Sequence, residues 1–130
     1  MDLSLVVPLG RLLFAFVFVR AGIDHLSPGD PGVAYAKASG VPFAPVAVPV
    51  AGLAALAGGL SVLLGFHARL GAWLLVLFLA PVTLTIHRFW GIPDRGAAAM
   101  QRIQFIKNSA LIGAALLIAY LGSGPYSLAQ

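Results

Sequence analysis

The chain has 130 residues, 60% of them hydrophobic and 9% charged, and its mean hydropathy is +0.97. Soluble domains are about half apolar and about a quarter charged, so eight Lys/Arg and four Asp/Glu cannot cover a water-soluble globule, and the composition reads as an integral membrane protein. The length holds four spans of ~20 residues with their loops and no second domain, the net charge of +4 belongs to membrane orientation and buried basic residues rather than to nucleic acid, and the lack of cysteine excludes disulfides, Cys-ligated zinc, iron–sulfur clusters and thiol chemistry.

The predicted fold is all-α, an integral membrane four-helix bundle, because lipid leaves no partner for an unpaired backbone group. The first span covers residues 3–23. It is not expected to be a cleavable signal, since Asp2 stands where a basic region would and Arg11 interrupts its middle. A lipid-facing guanidinium at that depth would cost ~2.5–3.5 kcal/mol on insertion scales. Arg11 is therefore expected to face the bundle, with Ala15, Phe18, Gly22 and His25 below it at helical spacing; the bland alternative is snorkelling to the near interface. Arg20 points the other way and either snorkels to headgroups or meets Asp24 at i+4 near the membrane boundary. Between the first two spans, Asp30 as N-cap, Pro31 at the first helical position and Gly40 past the end predict a short interfacial helix, with Val33, Ala36 and Val41 on the membrane surface.

The second span, residues 42–66, carries no charge. Ala51, Ala55 and Gly59 form a small-xxx-small face, flanked by Gly52 and Gly58, that suits close packing against a helix of this bundle or of another subunit. A tight hairpin at His67 leads into the third span, residues 68–86, where Pro81 frees a carbonyl and aims the end that carries Thr83 and His87. His87 suits a metal, a proton relay or a hydrogen bond donated to a quinone carbonyl, and the plain reading is an interfacial polar residue. The third connection, 88–102, turns at Gly91–Asp94 and opens onto the fourth span, residues 103–121. There Gln101, Gln104 and Asn108 fall on one face with Lys107 beside them, either a wet helix face or amides joining helices in the headgroup zone.

Basic residues in the short loops, Lys37, Arg88, Arg95 and Arg102 against Arg69, place connections 1 and 3 in the cytoplasm and both termini outside. Three histidines invite a metal, yet His25, His67 and His87 lie in three connections, with His67 on the other membrane side; a paired His25/His87 site needs the first and third spans to adjoin, and a bis-histidine haem is disfavoured. No Ser/His/Asp set, phosphate loop or paired carboxylates appears, so hydrolase and nucleotide readings have no residue support, and any redox role is expected as part of a complex.

In order and spacing the motifs resemble the DoxX family of small bacterial membrane proteins. The resemblance runs through Gly10-Arg11 and Gly22, Gly40-Val41-Pro42, Gly58-Gly59-Leu60 with Leu64-Gly65, His87-Arg88-Phe89-Trp90, Phe105-Ile106-Lys107-Asn108, and Gly122 to Leu128. The family typically has a glutamate before the double glycine, a position that falls on Ala55 here. By that resemblance Arg11 lacks its counter-ion and needs another partner: an amide of the fourth span, a lipid phosphate or a neighbouring subunit. The resemblance also implies an inner-membrane location and an accessory place in a quinone-linked redox assembly. On this reading Ala51, Ala55 and Gly59 pack on larger subunits or in a homo-oligomer. Arg11, His25, His87, Gln104, Lys107 and Asn108 form one polar cluster for a quinone head, a lipid head or a partner's polar group, without an intrinsic cofactor or metal. The competing expectations are a stand-alone structural or assembly protein, and a small lipid-binding or transport bundle.

Overall fold

The computed structural model describes residues 2–130. A 3-10 turn, Leu3–Leu5, leads into α1, Val6–Leu26, followed by the short α2, Gly32–Ala38, and by α3, Ala44–Leu64, α4, Ala68–Thr85, and α5, Arg95–Leu121. Four of these are long and apolar enough to cross a membrane, the first counted from Leu3. Their large side chains point outward in numbers no soluble protein tolerates; Leu13, Phe16, Leu70, Leu77 and Tyr120 are all more than 60% exposed.

Helix α1 packs mainly on α3, α3 on α4, and α4 on α5. Glycine permits the first two contacts. A Cβ on Gly22 would lie 2.8 Å from the Gly52 carbonyl oxygen, and one on Gly59 would meet Phe18 and Val19 at 3.1 Å. On the other side of α3, a Cβ on Gly58 would lie 2.8 Å from Leu75. The core formed this way holds Phe18, Ala55, Val62, Ala72, Leu75 and Phe78. Arg11, Ala15, Phe18 and Gly22 are the buried residues of α1, the face that helical spacing gives. The small face of α3 has a different use from the one expected of it in contacts with larger subunits. Ala55 is fully buried, Gly59 sits under Phe18 and Ala51 packs at the core's edge. Helix α1 of the same chain occupies this face, so it is not free for a partner.

Two other expectations change. Helix α5 starts at Arg95 instead of Ile103, because the Asp94 carboxylate accepts from the Ala97 amide at 2.9 Å and caps a run of good helix formers. Its 27 residues reach ~40 Å at 1.5 Å per residue, beyond the ~30 Å of hydrocarbon, so the basic first turns stand outside it. The short helix exists, but Ala36 is fully buried, and Val33 and Val41 pack with it against Ala44, Val48 and Ile86 instead of lying on the membrane. Nor does Asp30 cap it: Pro31 is the N-cap, and the Asp30 carboxylate is drawn to His25.

At the end of the bundle that holds both termini, the chain folds back after Gly122. The Leu128 and Ala129 amides donate to the Leu64 and Gly65 carbonyls, and the His67 amide donates to the Ala129 carbonyl. This short parallel bridge ties the tail to the α3–α4 hairpin.

Candidate functional site

The polar residues gather at opposite ends of the bundle. Arg11 lies with the termini, ~21 Å along α1 from His25 at 1.5 Å per residue, and so stands apart from the other members of the expected cluster. It is 5% exposed. Its Nη2 donates to the Tyr126 carbonyl at 2.7 Å and its Nη1 to the Ser127 hydroxyl at 3.0 Å, while among the described residues Nε has no partner. The partner that was expected to be an amide of the fourth span, a lipid phosphate or another subunit is thus the chain's own tail. A carbonyl and a hydroxyl stand where an acid would, and the C-terminus of α3, which carries roughly half a negative charge, ends beside the guanidinium. Gly65, the left-handed cap of α3 at φ 66°, comes so close that a Cβ there would overlap Arg11 Nη1. Three of the sequence motifs, Gly10-Arg11, Leu64-Gly65 and Gly122 to Leu128, therefore meet at one structural joint.

At the other end, α2 roofs a cavity of about 800 Å³. Its mid-span wall is apolar, with Ala51, Ala54 and Phe78 and with the exposed Val50 and Leu77 at its open side, and its outer end carries His25, Tyr35, His87, Gln101 and Gln104. Pro81 lines it as well, and its missing N–H leaves the Leu77 carbonyl without a helical donor. Between α1 and α5 lies a second, smaller cavity of about 140 Å³, lined among others by Lys107, Asn108 and Leu111. His25, Phe78, Val82 and His87 border both spaces. The two histidines that fall in different connections of the sequence thus belong to one site.

Each histidine is held from behind. His25 Nδ1 is 3.0 Å from Asp30 Oδ2, a carboxylate only 11% exposed, and this pair fixes the end of α1 to the start of α2. His87 Nδ1 is 2.9 Å from Gln101 Oε1, and Gln101 Nε2 donates to the Tyr35 hydroxyl, so one amide links α4's end, α5 and α2. Lys107 Nζ donates to Gln104 Oε1 at 2.6 Å. Asn108 is buried at the smaller cavity. Thr83, on the His87 face by spacing, is buried too, and among the described residues its hydroxyl has no partner. Arg20 pairs with Asp24 at 3.4 Å on the exposed surface, as its spacing indicates. Outside the site, Phe89, Trp90 and Phe105 stack edge to face, with Arg102 5.1 Å above Phe89.

Sequence reasoning missed Tyr35 and the pairing of Asp30 with His25. Tyr35 touches a residue 66 positions away, and no local period announces such a contact. Asp30 did carry a signal, since its spacing of five from His25 across a turn competes with the capping role. Among the described residues no group of three or more His, Asp or Glu side chains is placed to hold a metal. A site of this form, with an apolar wall and polar groups at one end, has the make-up of a small-ligand pocket.

Comparison with known proteins agrees with the motifs. The DoxX family model matches residues 6–88, which include Arg11, His25 and His87. The inner membrane protein YqjF of Escherichia coli is 31% identical over 122 residues, covering 94% of this chain and 88% of that protein. The inner membrane protein YphA of the same organism is 27% identical, covering 92% and 85%. A Surfeit locus protein 4 homolog of Schizosaccharomyces pombe is 26% identical over 92% of this chain but only 35% of its own length. No solved structure matches at a significant level.

Proposed function

The chain belongs to the DoxX family and is a four-span inner-membrane protein, and from that premise we propose that it serves as a small accessory subunit of a quinone-linked redox assembly, holding a quinone-type ring in the cavity under α2. The observation that carries this reading is the division of that cavity. Apolar residues from the middle of α3 and α4 line the part where an isoprenoid tail would lie, and His25, Tyr35, His87 and Gln101 converge at the level where a ring would meet the membrane surface. A cavity of about 800 Å³ is within the ~300–1,000 Å³ range of ligand pockets. On this reading its part is binding and orientation beside larger subunits. With the small face of α3 taken by α1, contact with those subunits falls to outward apolar residues such as Leu13 and Phe16 of α1 and Leu117 and Tyr120 of α5.

The test is native mass spectrometry of the particle extracted in mild detergent, with solvent extraction of what it carries. Larger subunits in the particle and quinone in the extract are expected, and His87→Phe should lower the quinone content without dissolving the fold. A homo-oligomer that carries phospholipid and no quinone refutes the proposal.

A further inference from the structure

We infer that the cavity under α2 is filled sideways from the bilayer, through the gap between α3 and α4, so that its ligand is a membrane-dissolved molecule with a flexible chain; this rests on the quinone reading above and adds the route. Val50 of α3 and Leu77 of α4 line the cavity and are 58% and 71% exposed, and the exposed Pro81 and Thr85 continue the same rim. Depth along the helices decides what that rim faces. The 21 residues of α3 and 18 of α4 are ~32 and ~27 Å long at 1.5 Å per residue, which matches the ~30 Å of hydrocarbon. Helix α3 starts and α4 ends beneath α2. Val50 stands six residues after Ala44 and Leu77 eight before Thr85, so both lie ~9–12 Å below the membrane surface. The rim therefore opens onto acyl chains, not onto water. Thr85, its one polar side chain, donates its hydroxyl to the Pro81 carbonyl at 2.6 Å and leaves the lipid no unanswered side-chain donor.

The water side of the cavity is fastened by contrast. Ala36 of α2 is fully buried, and Val33 and Val41 pack with it against Ala44, Val48 and Ile86. Asp30 meets His25 at 3.0 Å and holds the start of α2 to α1. Tyr35 meets the Gln101 side chain of α5, and a hydroxyl answers either end of an amide, so this tie stands whichever way the amide faces. Lifting α2 to admit a ligand would expose that apolar cluster and break both ties together. Passage between Val50 and Leu77 asks only that side chains already in contact with lipid change rotamer. The gap itself is built into the helix pair. At the hairpin end α3 and α4 touch closely, where a Cβ on Gly58 would lie 2.8 Å from the Leu75 side chain. Toward α2 the same helices present Ala47, Ala51 and Ala54 on one side and Phe78 and Val82 on the other, with the cavity between them. The pair is closed at one end and parted at the other, so the side opening needs no backbone movement.

The experiment follows a short-chain prenylated benzoquinone binding to the full chain in lipid nanodiscs, by stopped-flow quenching of each variant's own tryptophan fluorescence, with empty discs as the blank. Val50→Trp and Leu77→Trp place bulk at the side opening, at positions exposed enough for the fold to accept it. Met100→Trp places the same bulk at the seam between α2 and α5, where the exposed Met100 borders the cavity beside Gln101. Each of the first two is expected to slow association and dissociation together by about tenfold, the factor that ~1.4 kcal/mol of crowding in the passage produces, and Met100→Trp to leave both rates as they were. Saturable binding whose rates ignore Val50→Trp and Leu77→Trp, or slow only in Met100→Trp, overturns the side entry and leaves the quinone site standing. A change confined to dissociation marks a wall contact instead of a passage and overturns the side entry too. Absence of saturable binding by the unmodified chain overturns the quinone reading and the route with it.

Discussion

Replacing Gly22 with alanine should separate two helices, whereas the same change at Gly113 should stabilise the protein. At position 22 the new Cβ would lie 2.7 Å from Leu56 Cβ and 2.8 Å from both the Gly52 carbonyl oxygen and the Leu56 amide nitrogen. Carbon contacts are comfortable at ~3.5–4.0 Å, so α1 and α3 must part by about 1 Å. Two of the three obstructing atoms are backbone, and no rotamer change relieves them. Overpacking of this kind costs about 1–3 kcal/mol. Alanine returns roughly 0.5–1 kcal/mol of helix propensity, so the net effect is a loss of about 0.5–2 kcal/mol. Gly113 is also inside a helix, but nothing lies within 4 Å of the point where a methyl would sit. There only the propensity term remains, a gain of about 0.5–1 kcal/mol. Unfolding in mixed detergent micelles, followed by the fluorescence of Trp73 and Trp90, measures both on one scale. Equal shifts for the two variants would refute the close α1–α3 contact as the reason for Gly22.

Arg11→Ala removes both bonds to the tail, each of the charged kind worth about 1.5–3 kcal/mol; hydrogen exchange at Leu128 and Ala129 should accelerate strongly, and unchanged protection there would show that the tail is held by other means. Asp94→Ala should cost about 1 kcal/mol and fray the first turn of α5 in the same exchange measurement while amides beyond Gln101 stay protected. At the N-terminus the Ser4 hydroxyl, and secondarily the Ser4 amide, hold the fully exposed Asp2 carboxyl below the usual carboxylate range. A depressed folded value means that this cap is complete above the ordinary carboxylate pKa and is lost only as pH falls through the lowered value. Neutral-pH titration should therefore leave the Leu3–Leu5 turn unchanged, and acid should loosen it, as read by amide exchange at Ser4.

Much of this protein is local and so is legible in the residues. The run from Arg11 through Ala15 and Phe18 to Gly22 marks the buried side of α1 because 100° per residue stacks those positions. The exposed Arg20–Asp24 pair follows from the same geometry. The expected cluster of six polar residues did not survive as one group, because Arg11 and His25 share a helical face but lie ~21 Å apart along it. A helical period tells which way a residue points and nothing about what meets it there.

The sequence by itself determined a four-span membrane bundle, its small-residue packing face and the buried direction of its one mid-span cation, since hydropathy, residue size and helical period are properties of neighbouring positions. Only the tertiary structure decided what those features touch. The α3 face went to α1, Arg11 went to a tail 115 residues away through the Tyr126 carbonyl, and His25, Tyr35, His87 and Gln101 came together from four separate segments. Those pairings depend on which helices adjoin and on how the loops return, and each is settled by the packing of the whole bundle, where burial of apolar surface and satisfaction of every buried polar group have to be met at once.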